Sequence, residues 1–121
     1  MAVRLYSVLI DATDPKALGR WWANALDWQV TLEHDDEVDV AAGRGPDGKE
    51  IEPILTFLPV PEQKAGKNRL HIDLAPDDRD AEVERLLGLG ATRADVGQGD
   101  DVSWVVLADP EGNEFCVLSA R

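Results

Sequence analysis

Cysteine occurs once in this chain, at Cys116. A lone thiol excludes an intramolecular disulfide framework and suits a reducing compartment, so a cytoplasmic location is expected. Basic residues are scarce, with 12 Lys and Arg against 24 Asp and Glu and a formal net charge of -12. The nearest thing to a basic patch, Lys64, Lys67 and Arg69, is small and flanked by Glu62. A phosphate backbone needs clustered positive charge, so nucleic acid is not an expected partner. Long apolar runs are missing too; none approaches the roughly 18 residues of a membrane helix, and no membrane partner is expected. Arg4 is the only basic residue near the N-terminus, and Asp11 and Asp14 interrupt the apolar residues after it, so no signal peptide is expected. Histidine is present only twice, at His34 and His71.

What is present is one domain's worth of sequence. At 121 residues, 44% hydrophobic and 30% charged, the chain can bury a real core. Residues 3–10 are rich in β-branched and large apolar side chains and read as a first strand. Asp14-Pro15 starts a helix, Asp14 as the N-cap and Pro15 at the first helical position. Leu18, Trp22, Ala25 and Leu26 give that helix one apolar face, and Asp27 ends it. Alternation over 28–32 reads as a strand, residues 34–37 as a charged turn and 38–42 as a weaker strand. After the Gly43–Gly48 turn, 51–60 reads as a further strand, with Pro53 at an edge or entry position.

The second half repeats the plan. A strand over 69–75 precedes a helix starting at Pro76-Asp77-Asp78, whose apolar residues are Ala81, Val83, Leu86, Leu87 and Leu89 and which Gly88 and Gly90 close. Three more strands are expected, over 91–96, 102–108 and 114–119, separated by turns at 97–101 and 109–113. Adding 64 to Ser7 gives His71, and adding 64 to Asp14 gives Asp78, so first strands and helix caps coincide at one offset. The expected fold class is therefore α+β, a single domain over 1–121. It contains two βαβββ modules, 1–62 and 67–121; if their mixed sheets curl together, the helices cover the outer faces and the concave faces form a cup.

The chemistry centres on Lys67-Asn68-Arg69-Leu70-His71-Ile72-Asp73-Leu74. Leu70, Ile72 and Leu74 fall on one strand face, while His71 and Asp73 share the other. Two ionisable groups on an otherwise apolar strand need a partner or a purpose. A histidine hydrogen-bonded at a sheet rim is the bland alternative. Glu114 in the last strand is the expected partner of His71, and an imidazole nitrogen with a carboxylate oxygen suits a divalent cation such as Mn, Fe, Zn or Ni. The same carboxylate could instead serve as a base. Cys116 shares the Glu114 face and reads as a small cup-facing residue, since nothing basic beside it favours a thiolate. Trp22 and Trp28 read as core, and Trp104 shares a face with Val106 and Ala108.

The repeat, Asp14-Pro15 followed by Trp21-Trp22, the strand Asn68-Arg69-Leu70-His71-Ile72-Asp73 and the ending Asp109-Pro110-Glu111-Gly112-Asn113-Glu114-Phe115 resemble the glyoxalase-like branch of the vicinal oxygen chelate superfamily. The resemblance covers essentially the whole chain. It implies paired βαβββ modules, a homodimer, and in most of the enzymes a divalent metal that chelates two neighbouring oxygens of a small molecule. It assigns His71 and Glu114 as metal ligands and Glu114 as the catalytic carboxylate. The position in the first strand, usually His or Gln, falls on Ser7, a weak ligand, and the fourth-strand position falls near Ile54 or Thr56. Apart from the resemblance, Asp73, one pleat on from His71 and on its face, could complete the site or orient His71, and Cys116 and Trp104 are expected around the site or lining the pocket.

Two readings of function stand side by side. One is a metal-dependent lyase, isomerase or dioxygenase using His71 and Glu114. The other is a metal-free protein that binds or sequesters a small hydrophobic or aromatic molecule, as the bleomycin resistance proteins of that superfamily do. The ligand set favours the first by its matched pair and the second by its incompleteness.

Overall fold

The computed structural model describes residues 3–94 and 104–120. It divides into two units, Met1–Gln63 and Lys64–Arg121. Among the described residues no helix is long and apolar enough to cross a membrane. The element order is two repeats of βαβββ, as the shared offset predicts.

In the first unit β1 (Ser7–Ala12), β2 (Gln29–His34), β3 (Glu37–Ala41) and β4 (Ile54–Pro59) form one sheet in the order β1-β4-β3-β2. β1 and β4 run parallel, and the other neighbours are antiparallel. α1 (Pro15–Leu26) lies against β2, β3 and β4. Its start matches the sequence signals closely, with the Asp14 carboxylate accepting from the Ala17 N–H at 3.1 Å. Asp27 ends it in the left-handed region at φ 56°. Trp22, Leu18 and Ala25 are buried, and Trp21 stacks edge-on against Trp22 with ring centroids 5.1 Å apart. Trp28 is only half-buried, because it sits in the link between α1 and β2 rather than under the helix.

α1 approaches the sheet closely at Gly19. A Cβ built there would stand 2.6 Å from Val38 Cγ1, well inside van der Waals contact. Val38 and Phe57 are cross-strand partners and fully buried beneath that helix turn. Strand alternation then sends Asp39 and Thr56, also cross-strand partners, to the opposite face.

In the second unit β5 (Ile72–Leu74), β6 (Thr92–Arg93), β7 (Val105–Ala108) and β8 (Glu114–Val117) form a sheet in the order β5-β8-β7-β6. α2 (Arg79–Gly88) lies against β8 and is capped like α1, the Asp78 carboxylate accepting from the Ala81 N–H at 3.2 Å. Of its expected apolar residues Val83 and Leu86 are buried, whereas Ala81 and Leu89 face solvent. The last hairpin is held by Asp109, whose buried carboxylate accepts from the N–H groups of Glu111 (2.9 Å) and Asn113 (3.0 Å) and from Asn113 Nδ2.

Some strands are shorter than their sequence patterns. β1 begins only at Ser7; before it Val3 and Leu5 are exposed, and Arg4 pairs instead with Glu52 at 2.6 Å. The expected strand over 51–60 shortens to Ile54–Pro59, with Pro53 just before its entry. The strand over 69–75 contracts to Ile72–Leu74, so His71 stands immediately outside it. Ahead of it the Asn68 side chain donates to the Glu114 carbonyl at 2.7 Å, a side-chain bond to β8 where the ladder has not yet begun. The turn expected at 97–101 and parts of the strands expected over 91–96 and 102–108 lie outside the described residues.

Candidate metal centre

The two sheets share one register. In the first, Val8 pairs with Leu55 and Leu9 with Thr56; in the second, Ile72 pairs with Phe115 and Asp73 with Cys116. Equivalent positions are therefore Ser7 and His71, Leu9 and Asp73, Ile54 and Glu114, and Thr56 and Cys116. The parallel pairing of β5 with β8 brings Asp73 beside Cys116 on the face opposite Phe115 and Val117. His71, one pleat earlier, leans over both.

The resulting cluster is tight. His71 Nε2 is 3.0 Å from Cys116 Sγ and 3.7 Å from Asp73 Oδ1. One ligand atom from each of the three residues falls within 4.8 Å of the others. Cys116 is buried, while His71 and Asp73 are exposed, so the cluster has a closed floor and an open side. Burial pushes the Cys116 thiol up from its ordinary value; Asp73 and Glu114 add to that, and Lys67 opposes it. Without a cation in place, then, the sulfur keeps its proton at neutral pH.

This donor set suits a divalent metal. Metal bonds of about 2.0–2.3 Å in a tetrahedral site put ligand atoms roughly 3.3–3.8 Å apart. The His71–Asp73 separation already falls in that range, and the His71–Cys116 separation needs to open slightly.

Sequence reasoning found His71 and placed Asp73 and Cys116 beside it, but gave the main role in β8 to Glu114. The structure puts Glu114 outside this three-residue cluster. Its Oε1 lies 3.3 Å from Lys67 Nζ, one pleat before Cys116 on the same face. Ser7 stands in the other module, where its Oγ is 2.9 Å from Thr56 Oγ1. That hydroxyl pair occupies the first-module positions equivalent to His71 and Cys116. Trp104 immediately precedes β7 and is partly exposed; alternation from Val106 puts it on the Cys116 side of the sheet. Asp39 was missed altogether. The signal was a charge between Val38 and Val40 in a strand that turns out to be interior.

No curated protein matches the chain by sequence. Among solved structures, a glyoxalase/bleomycin resistance protein/dioxygenase family enzyme from Burkholderia phytofirmans PsJN superposes with a TM-score of 0.70 at 17% identity, over 95% of this chain and 97% of that one. The trypanothione-dependent glyoxalase I of Leishmania major gives 0.65 at 17% identity, over 98% and 87%. A bleomycin-binding protein from bleomycin-producing Streptomyces verticillus, solved with copper(II)-bleomycin, gives 0.62 at 17% identity, over 100% of both chains. At these identities the likeness establishes the fold alone. The sequence model of the glyoxalase-like domain, however, matches residues 7–118. With two βαβββ repeats in one register and a family match across nearly the whole chain, the protein belongs to the glyoxalase-like domain family of the vicinal oxygen chelate superfamily.

Proposed function

We propose that this protein binds a small, oxygen-bearing molecule at a divalent metal held by His71, Cys116 and Asp73. The observation that carries the reading is the convergence of a nitrogen, a sulfur and a carboxylate oxygen within 4.8 Å on one face of the second sheet. Three protein ligands leave a position open, which is the arrangement of catalytic rather than structural sites. A metal bound there would act as a Lewis acid on the oxygens of the bound molecule.

The chain's own residues have distinct parts in this reading. Cys116 gives up its proton to bind, so occupancy rises with pH. His71 and Asp73 form the open side through which a ligand enters. Glu114 is the carboxylate placed to take a proton from the bound molecule, and Lys67 holds it in position. The reaction class this supports is a lyase or isomerase step begun by proton abstraction. A cytoplasmic homodimer is part of the proposal, supported by the lone buried thiol and by the exposed apolar Val3, Leu5 and Leu70.

Metal-free sequestration, as implied for a relative of the bleomycin-binding type, has one specific observation in its favour. The first-module pair, Ser7 and Thr56, consists of two hydroxyls bonded to each other, which are poor transition-metal ligands. Titration of metal-free protein with Co(II) separates the two readings. A thiolate-to-cobalt charge-transfer band supports the metal centre, and its absence, with a small molecule still quenching tryptophan fluorescence, supports sequestration.

A further inference from the structure

The first module buries a carboxyl group that the metal centre does not use. Asp39 lies in β3 between Val38 and Val40, both fully buried. Its side chain is only 6% exposed, and Oδ1 has no hydrogen-bond partner among the described residues. A buried acceptor left unpaired is destabilising, more so when charged, so such an atom calls for an explanation.

Its surroundings supply one. Thr56 is the cross-strand partner of both Asp39 and Leu9, so the three side chains form one row across β3, β4 and β1. Leu9, at the β1 end, is 58% exposed. The Thr56 hydroxyl bonds to that of Ser7, which is only half-buried. The row thus runs from an accessible apolar side chain, past two hydroxyls, to a buried carboxyl. The local charge is negative: Glu50, Asp39, Glu52 and Glu37 all act on Tyr6 and push its phenol up. Of these four, only Glu52 has an ion-pair partner among the described residues, Arg4. Burial and a hydrogen bond with the Glu37 carboxyl push the Asp39 carboxyl up to about 6, while a hydrogen bond with the Thr56 hydroxyl lowers it; it is largely ionised at neutral pH, and only Oδ1 lacks a partner.

We propose that Asp39 anchors the cationic group, an ammonium or amidinium, of a small amphipathic ligand, with the Thr56 and Ser7 hydroxyls beside it and Leu9 against its apolar part. This site lies in the first module, shares no residue with the His71 centre and stands whether or not a metal binds there.

The test uses the full chain and three probes of one shape, benzylammonium, benzyl alcohol and benzoate, monitored by ligand-observed NMR. Benzylammonium is expected to bind saturably, and benzyl alcohol and benzoate at least tenfold more weakly. Asp39→Asn should weaken benzylammonium tenfold or more, and Glu37→Gln by less. If Asp39→Asn does not fold, Thr56→Val must weaken benzylammonium about threefold. Absence of saturable benzylammonium binding, equal binding of benzoate, or unchanged affinity in the folded variants would overturn the proposal.

Discussion

His71 Nε2 stands 3.0 Å from Cys116 Sγ, and the equivalent contact of the first module joins Ser7 Oγ to Thr56 Oγ1 at 2.9 Å. Two sheets of one register thus present the same pair of positions with different chemistry. In one the pair is two neutral hydroxyls; in the other it is an imidazole and a thiol, with Asp73 where the first module has Leu9. Of the two pairs, only that of the second module has side-chain types that ligate transition metals well.

Asp39 makes the first module sensitive to pH. Its folded pKa, about 6, lies above the ordinary carboxylate value near 3.9. A raised carboxylate pKa favours the protonated folded state, so stability is full below pH 4 and is lost as pH rises towards 6. The loss amounts to about 3 kcal/mol at most. Asp39→Asn removes this dependence. Urea midpoints at pH 5 and pH 8 check it, and the variant should gain on the wild type at pH 8.

Gly19 sets the distance between α1 and its sheet. Gly19→Ala gains about 1 kcal/mol of helix propensity but drives a methyl into Val38, which is fully buried and cannot turn aside. Overpacking of this kind costs about 1–3 kcal/mol. The variant should have a lower thermal midpoint, and Gly19→Ala combined with Val38→Ala should recover part of that loss.

Asp109 holds the hairpin that aims β8. Asp109→Ala leaves the N–H groups of Glu111 and Asn113 without their acceptor and should destabilise by about 1–3 kcal/mol. Asp109→Asn, which keeps one carbonyl oxygen, should lose less. Chemical denaturation of the two variants side by side is the check.

Much of this fold was legible because its signals are local. Asp14 and Asp78 cap their helices at the expected places, and the shared offset of 64 between Ser7 and His71 survives as a shared register. The site was legible only in part, because it depends on a pairing between strands distant in the chain. Alternation puts His71, Asp73, Glu114 and Cys116 on matching faces, yet it cannot say whether Glu114 or Cys116 comes level with Asp73. The parallel register of β5 and β8 decides that for Cys116. Asp39 is legible in the sequence only as a charge between Val38 and Val40; its burial follows from the interior place of β3, between β4 and β2, which depends on strand order.

Metal binding by protein freed of metal is the most direct test of the central claim. Such protein should take up one Co(II) or Zn(II) per chain and, with cobalt, show a thiolate-to-cobalt charge-transfer band. The band should be lost in Cys116→Ser, the affinity should fall by more than ~100-fold in His71→Ala, and Glu114→Gln should bind metal as the wild type does. Absence of stoichiometric metal, with no thermal shift on adding Zn, Co, Ni, Fe or Mn, would contradict it.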